Sequence, residues 1–185
     1  MTIVKGYKIK PGAKLIGVNL ENADLSGLNL SGANLSKANL KGANLTNANL
    51  KNVTLFKTDL TNANLNNTIL RDTVLTLTNL TNVSMGTPNI LYFKGIKSGN
   101  ITFEKGKPPI LPPNYKLING YIIGKSMNYT DANFTDMDLS NINLGNSNLK
   151  NANLSRAKLT NTNLKNVALN LVRSGNIIFE KGKPP

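Results

Sequence analysis

Ala33-Asn34-Leu35-Ser36-Lys37, Ala38-Asn39-Leu40-Lys41-Gly42 and Ala43-Asn44-Leu45-Thr46-Asn47 follow one another without a gap and state one rule three times. A small residue and a leucine flank a polar one, and two more polar residues complete a period of five. The leucine recurs at every fifth position from Leu15 to Leu80. Two inward positions separated by an outward one is the spacing of an extended strand. Three residues bury too little to stand alone, so the unit has to stack on copies of itself. A helix is excluded, because at about 3.6 residues per turn a period of five carries the leucines around every face.

Runs such as Ala43-Asn44-Leu45 and Ala152-Asn153-Leu154 resemble the pentapeptide-repeat family, whose repeat is written A(D/N)LXX, and the pattern covers most of the chain. The resemblance implies an all-β fold in which four repeats make one turn of a right-handed quadrilateral β-helix. Such a solenoid has twenty residues per coil and four internal columns of leucine. One column would hold Leu15, Leu35, Leu55 and Leu75, in coils about 4.8 Å apart. Stacked one coil apart, pairs such as Asn19 and Asn39, or Asn29 and Asn49, are expected to form side-chain amide ladders. Thr58, Thr68, Thr73 and Thr78 replace the inward Ala, and each buried hydroxyl there needs a backbone carbonyl.

A second, longer repeat divides the chain into two tandem blocks. Ser98-Gly99-Asn100-Ile101-Thr102-Phe103-Glu104-Lys105-Gly106-Lys107-Pro108-Pro109 returns as Ser174-Gly175-Asn176-Ile177-Ile178-Phe179-Glu180-Lys181-Gly182-Lys183-Pro184-Pro185. Gly6-Tyr7-Lys8-Ile9 likewise aligns with Gly120-Tyr121-Ile122-Ile123. The heads lie 114 residues apart and the tails 76, so the first block is longer by 38, which is seven repeats and three residues. Those three break the register and are placed around Gly86-Thr87-Pro88-Asn89, where proline withholds a ladder donor. Leu91 and Phe93 then resume the inward spacing. The second column runs through Phe134, Leu139, Leu144, Leu149, Leu154, Leu159, Leu164 and Leu169.

The resulting division has residues 1–98 as the first block with its head and tail strands. Residues 99–128 form a Pro-rich structured connector with the head of the second block, 129–173 the second block, and 174–185 a terminal tail or cap. Strands are expected at Ile101 to Phe103, Lys116 to Ile118 and Tyr121 to Ile123. The connector and tails serve as caps against edge pairing, or as the means of end-to-end assembly with another chain.

Composition points away from catalysis. The chain has no Cys and no His, which removes disulfides, thiol chemistry and the usual transition-metal ligands. No triad can be built, and no glycine run forms a phosphate loop. The closest carboxylates, Asp131, Asp136 and Asp138, sit at outward positions with no enclosed pocket. No catalytic residue, metal site, cofactor or small-molecule substrate is expected. No stretch reads as a signal peptide or could span a bilayer, so a cytoplasmic protein, or one held within an assembled particle such as a virion, is expected.

The net charge is +13, from 22 basic against 9 acidic residues. Some members of the family mimic duplex DNA and bind type II topoisomerases, which requires an acidic surface. This chain departs from that pattern. A cationic chain is attracted instead to nucleic acid, anionic lipid or acidic protein. The candidate basic surface comprises Lys37 with Lys57, Lys51 with Arg71, and the tail residues Lys105, Lys107, Lys181 and Lys183. A candidate interaction patch comprises Phe56, Ile69, Val74 and Leu77, apolar residues at outward positions where polar ones are the rule. The sequence thus favours a non-enzymatic structural or protein-interaction scaffold, self-associating or partner-bound. Its alternative is a cationic regulator of an anionic partner, nucleic acid or membrane surface.

Overall fold

The computed structural model describes residues 2–85, 96–99, 109–111 and 113–177. The chain falls into two compact units, Met1–Pro113 and Asn114–Pro185. Both are all-β among the described residues.

Each repeat becomes one very short strand and one turn. In Ala33-Asn34-Leu35 the alanine and leucine are buried and the asparagine faces out. The Asn34 side-chain oxygen accepts the Ser36 N–H at 3.0 Å, which folds the chain back on itself. The last residue of the repeat is left-handed, with φ of 54 at Asn22, 60 at Asn47 and 58 at Asn52. Asn and Gly tolerate that conformation best, which explains why they fill the position.

Hydrogen bonds then join residues one coil apart. Leu15 N–H donates to Asn34 C=O at 2.8 Å, and Asn34 N–H donates to Ala13 C=O at 2.9 Å. Parallel bridges pair Lys14 with Asn34, Asn19 with Asn39, Asp24 with Asn44 and Asn29 with Asn49, four to a coil of twenty residues. The same spacing returns in the second unit, from Asn128 with Asn148 to Asn153 with Arg173. The every-fifth leucines from Leu20 to Leu80 are buried, and in the second unit the column from Phe134 to Leu159 is as well. Leu164 is half-buried and Leu169 is 46% exposed, so the second column does not stay inward to its last member.

The three-residue interruption is written into the register. Asn64 still pairs with Ser84 at the usual spacing, but β3 (Val74–Thr76) pairs with β4 (Lys97–Gly99), Val74 opposite Lys97. That separation is 23 rather than 20, and Ser84 in turn pairs with Ile110 at 26, so the register departs from twenty beyond Met85. Gly86 to Asn89, Leu91 and Phe93, to which the sequence assigns the break and its recovery, lie outside the described residues. So does the strand expected at Ile101 to Phe103.

The two heads are antiparallel hairpins. The first joins β1 (Thr2–Val4) to β2 (Tyr7–Ile9) through Lys5 and Gly6, both at positive φ. The second joins β5 (Lys116–Ile118) to β6 (Tyr121–Ile123) through Asn119 and Gly120, again both positive. Two left-handed residues in a two-residue loop make the turn that suits the twist of paired strands.

The amide ladders form, but at a different position. Asn19 and Asn29 turn their oxygens to the N–H of Glu21 and Ser31. The ladders run instead through the left-handed corner residues, with Asn82 donating to Asn62, Asn161 to Asn141 and Asn166 to Asn146, at 3.1 to 3.2 Å. A nearby backbone N–H takes the oxygen of the strand asparagine and leaves its amide N–H groups to reach along the stack to a carboxylate, as Asn44 does to Asp24 and Asn79 to Asp59, both at 3.2 Å.

Candidate interaction surface

Thr58, Thr68, Thr73 and Thr78 are buried, and their hydroxyls donate to the carbonyls of Leu35, Leu65, Leu50 and Leu55 at 2.6 to 2.9 Å. No buried side-chain polar atom among the described residues lacks a hydrogen bond. The interior therefore offers no unsatisfied group to a substrate. A cavity of about 260 Å³ opens beside the first hairpin, lined by Thr2, Ile9, Lys10, Pro11, Leu28 and Asn29, with no carboxylate among them.

The described acidic residues of the second unit, Asp131, Asp136 and Asp138, are each engaged one coil along. Asp136 takes a two-pronged hydrogen bond from Arg156, both contacts at 2.6 Å, and this holds its carboxyl below the ordinary range. Asp138 is also lowered, first by the Ser140 hydroxyl and backbone and then by Lys158 at 3.9 Å. Asp131 accepts from the Asn151 amide. Among the described residues no group of acidic side chains is arranged to hold a metal ion.

Of the surface residues singled out from the sequence, Lys37, Lys51, Lys57, Arg71, Phe56, Val74 and Leu77 lie on or at the corners of one side of the first unit. Its outward row is Lys14, Asn34, Thr54 and Val74, joined in register by parallel bridges. The corner leading into this side carries Lys51 and then Arg71, in the row that begins at Ser31. The corner leading out carries Ser36, Phe56 and Thr76, and beside them Lys37, Lys57 and Leu77. Lys37 N–H donates to Phe56 C=O at 2.8 Å, and Lys57 N–H to Thr76 C=O at 3.2 Å. Ile69 follows Asn49 in the outward row of the preceding side, just before the Arg71 corner.

Phe56, Ile69, Val74 and Leu77 are each half-buried rather than fully exposed. The Lys57 ammonium lies 5.4 Å from the centre of the Phe56 ring, a cation–π distance. Lys14, Lys37 and Lys57 are exposed, and Arg71 lies 3.5 Å from Asp72. Lys105, Lys107, Lys181 and Lys183 lie outside the described residues.

One feature of this side escapes sequence reading. Leu77 has φ of 58, a left-handed conformation that a branched side chain rarely adopts. The signal is present in neighbouring repeats, where Gly17, Gly42, Asn62 and Asp72 hold the same place in the repeat.

The chain matches the family described as pentapeptide repeats, in eight copies, over residues 13–52, 58–86 and 130–166. Solved structures similar to it include QnrB1, described as a plasmid-mediated fluoroquinolone resistance protein. That pair is 15% identical with a TM-score of 0.45, covering 93% of this chain and 87% of that one. Rfr23 from the cyanobacterium Cyanothece 51142 is 21% identical with a TM-score of 0.27, covering 91% and 89%. HetL from Nostoc sp. strain PCC 7120, described as involved in heterocyst differentiation regulation, is 20% identical with a TM-score of 0.31, covering 88% and 87%. No curated protein matches the chain.

Proposed function

The chain belongs to the pentapeptide-repeat family, and from that premise we propose that it is a non-enzymatic protein-interaction scaffold working inside a larger assembly, of which a virion is one kind. Each unit then closes as the right-handed quadrilateral β-helix of the family, the two forming tandem blocks. The carrying observation is the contrast between inside and outside. The interior is filled by leucine, alanine and threonine whose polar atoms are all engaged, while the outer surface departs from its polar rule at Phe56, Ile69, Val74 and Leu77. A rigid scaffold acts through such departures.

Leu77 adds to this reading, because a leucine kept in a left-handed conformation costs about 1–2 kcal/mol that asparagine would avoid. Strain of that kind is retained where a side chain serves another purpose. A cationic regulator of nucleic acid or membrane surface is the second reading, favoured by the net charge of +13. Acidic mimicry of DNA is opposed by that same charge.

A photo-crosslinking residue placed at Leu77 in the native source tests the scaffold. A discrete protein adduct at Leu77, absent with the same probe at Asn47 on a different corner, is expected. Equal adducts at both positions, or none at Leu77, would overturn the reading.

A further inference from the structure

Charge in the first unit is sorted by side. Glu21, Asp24 and Asp59 sit on other sides of the coil, where Asp59 is paired with Lys41 at 3.4 Å and Asp24 accepts from Asn44. Around the side that carries Val74 stand Lys14, Lys37, Lys51, Lys57 and Arg71, with Asp72 alone of opposite sign among the described residues and already beside Arg71. Among the described residues no ion pair joins Lys14, Lys37, Lys51 or Lys57 to a carboxylate. Stacking brings like charges to about 4.8 Å between neighbouring backbones in the Lys37–Lys57 and Lys51–Arg71 rows. Such rows are destabilised unless an anion or solvent separates them.

Of the apolar residues, Val74 lies between these rows, and Phe56 and Leu77 lie along the second. Val74 continues the outward row of Lys14, Asn34 and Thr54, while Leu77 continues the row of Lys37 and Lys57 one coil further on. Phe56 adjoins Lys57. The two corners are five residues apart along the chain, at most about 17 Å when extended. The cations therefore form two rails, and the apolar floor is Val74 between them together with Phe56 and Leu77 along the second rail.

We propose that this side binds an acidic polypeptide surface that presents apolar side chains between its carboxylates. The inference rests on the scaffold reading and names the partner's chemistry. Charge complementarity selects an anionic partner, and the floor selects among anionic partners. A nucleic-acid backbone offers phosphates but no aliphatic groups to cover Val74 and Leu77, and a single phenylalanine supplies little base stacking. A lipid surface is engaged by apolar side chains that protrude together, whereas Phe56, Val74 and Leu77 are half-buried and Ile16, 56% exposed in the same corner row, is two coils from Phe56 with Ser36 between them. An acidic protein segment with leucine-like side chains satisfies both the rails and the floor, and the desolvated floor strengthens the charged contacts around it.

The test measures binding of labelled synthetic probes to the full chain at physiological salt. One peptide has five Glu-Glu-Leu repeats, and a second of equal charge has five Glu-Glu-Ser repeats. A DNA duplex and vesicles containing phosphatidylserine complete the set. The leucine peptide is expected to bind about fivefold tighter than the serine peptide. Leu77→Asn, which suits the left-handed backbone and keeps the fold, should abolish that gap. Lys37→Gln with Lys57→Gln should weaken both peptides about tenfold. Lys150→Gln with Lys165→Gln, an equal charge change in the second unit, should leave both within about twofold.

Equal affinity for the two peptides, equal weakening by the second-unit control, or no peptide binding would each overturn the proposal. So would DNA or vesicle binding that depends on Leu77 more strongly than peptide binding does. If the peptides fail while the Leu77 crosslink stands, the scaffold survives and only the partner chemistry is wrong. If the crosslink fails too, both fall.

Discussion

Lys37 shows what one residue costs this fold. It closes its repeat with φ of 61, at a place held elsewhere by Gly17, Gly42, Asn47 and Asn52. A lysine Cβ is crowded there, while asparagine adopts the same backbone at little cost. Lys37→Asn is therefore expected to raise stability by about 0.5–1 kcal/mol, read from the denaturant midpoint at unchanged slope. Thr58 shows the opposite case. Its hydroxyl donates to Leu35 C=O at 2.7 Å, but that carbonyl also accepts the Ala38 N–H at 3.0 Å. The hydroxyl needs the carbonyl, and the carbonyl does not need the hydroxyl. Thr58→Val, which keeps the shape, should change stability by less than about 1 kcal/mol, whereas Leu40→Ala in the packed column should cost about 2–5 kcal/mol. The buried threonines were legible because burial dictates their partner. Leu77 was singled out for its apolar side chain, but its left-handed backbone was not foreseen, because the side chain gives no sign of it.

At the scale of elements, the second hairpin shows how a head seals a coil. Tyr129 is fully buried, and its hydroxyl accepts the Gly124 N–H at 2.9 Å and donates back to Gly124 C=O at 2.9 Å. Its ring meets Phe134 edge-on at 5.1 Å, and Tyr121 meets the same ring at 5.0 Å. Burial pushes the Tyr129 hydroxyl far above its ordinary range, so it stays protonated and can keep both roles. A Cβ on Gly124 would run into the Tyr115 ring, which fixes glycine at that position. Tyr129→Phe removes the acceptor of a buried N–H and is expected to cost about 1–3 kcal/mol in urea unfolding. Tyr121→Phe, whose hydroxyl accepts from the more exposed Asn133 N–H at 3.1 Å, should cost less. Strands β5 and β6 were legible to the residue, because Leu117, Ile118, Tyr121, Ile122 and Ile123 are dense in strand formers around an Asn-Gly turn. The amide ladders were placed at the wrong asparagines, since sequence spacing shows which residues stack but not which hydrogen bond a side chain takes first. The candidate basic surface and the candidate patch were separate lists in the sequence, although a coil of twenty residues already put Phe56, Val74 and Leu77 on one face.

For the whole molecule, the absence of histidine decides how charge responds to pH. Carboxylates titrate near pH 4 and lysines near pH 10, so apart from a terminal amine the net charge is constant between about pH 5.5 and 9. Anion binding by the chain should be flat across that range, and any slope must come from the partner. Acid is different. Asp24, Asp136 and Asp138 are held below their ordinary range, Asp24 by Ser26, Asp136 by Arg156 and Asp138 by Ser140. A group with a lowered folded pKa binds its proton more readily once unfolded, so it stabilises the fold above the unfolded value of about 3.9 and loses that effect as pH falls through the folded value. The thermal midpoint should therefore hold level from pH 8 to 5 and drop below about pH 4. Arg156→Gln removes the two-pronged partner of Asp136 and returns that carboxyl toward its unfolded behaviour. Its midpoint should start lower near neutral pH and fall less steeply in acid, so the curves of variant and parent converge as the pH approaches 2. Parallel curves would mean that the Asp136–Arg156 pair contributes nothing that titrates.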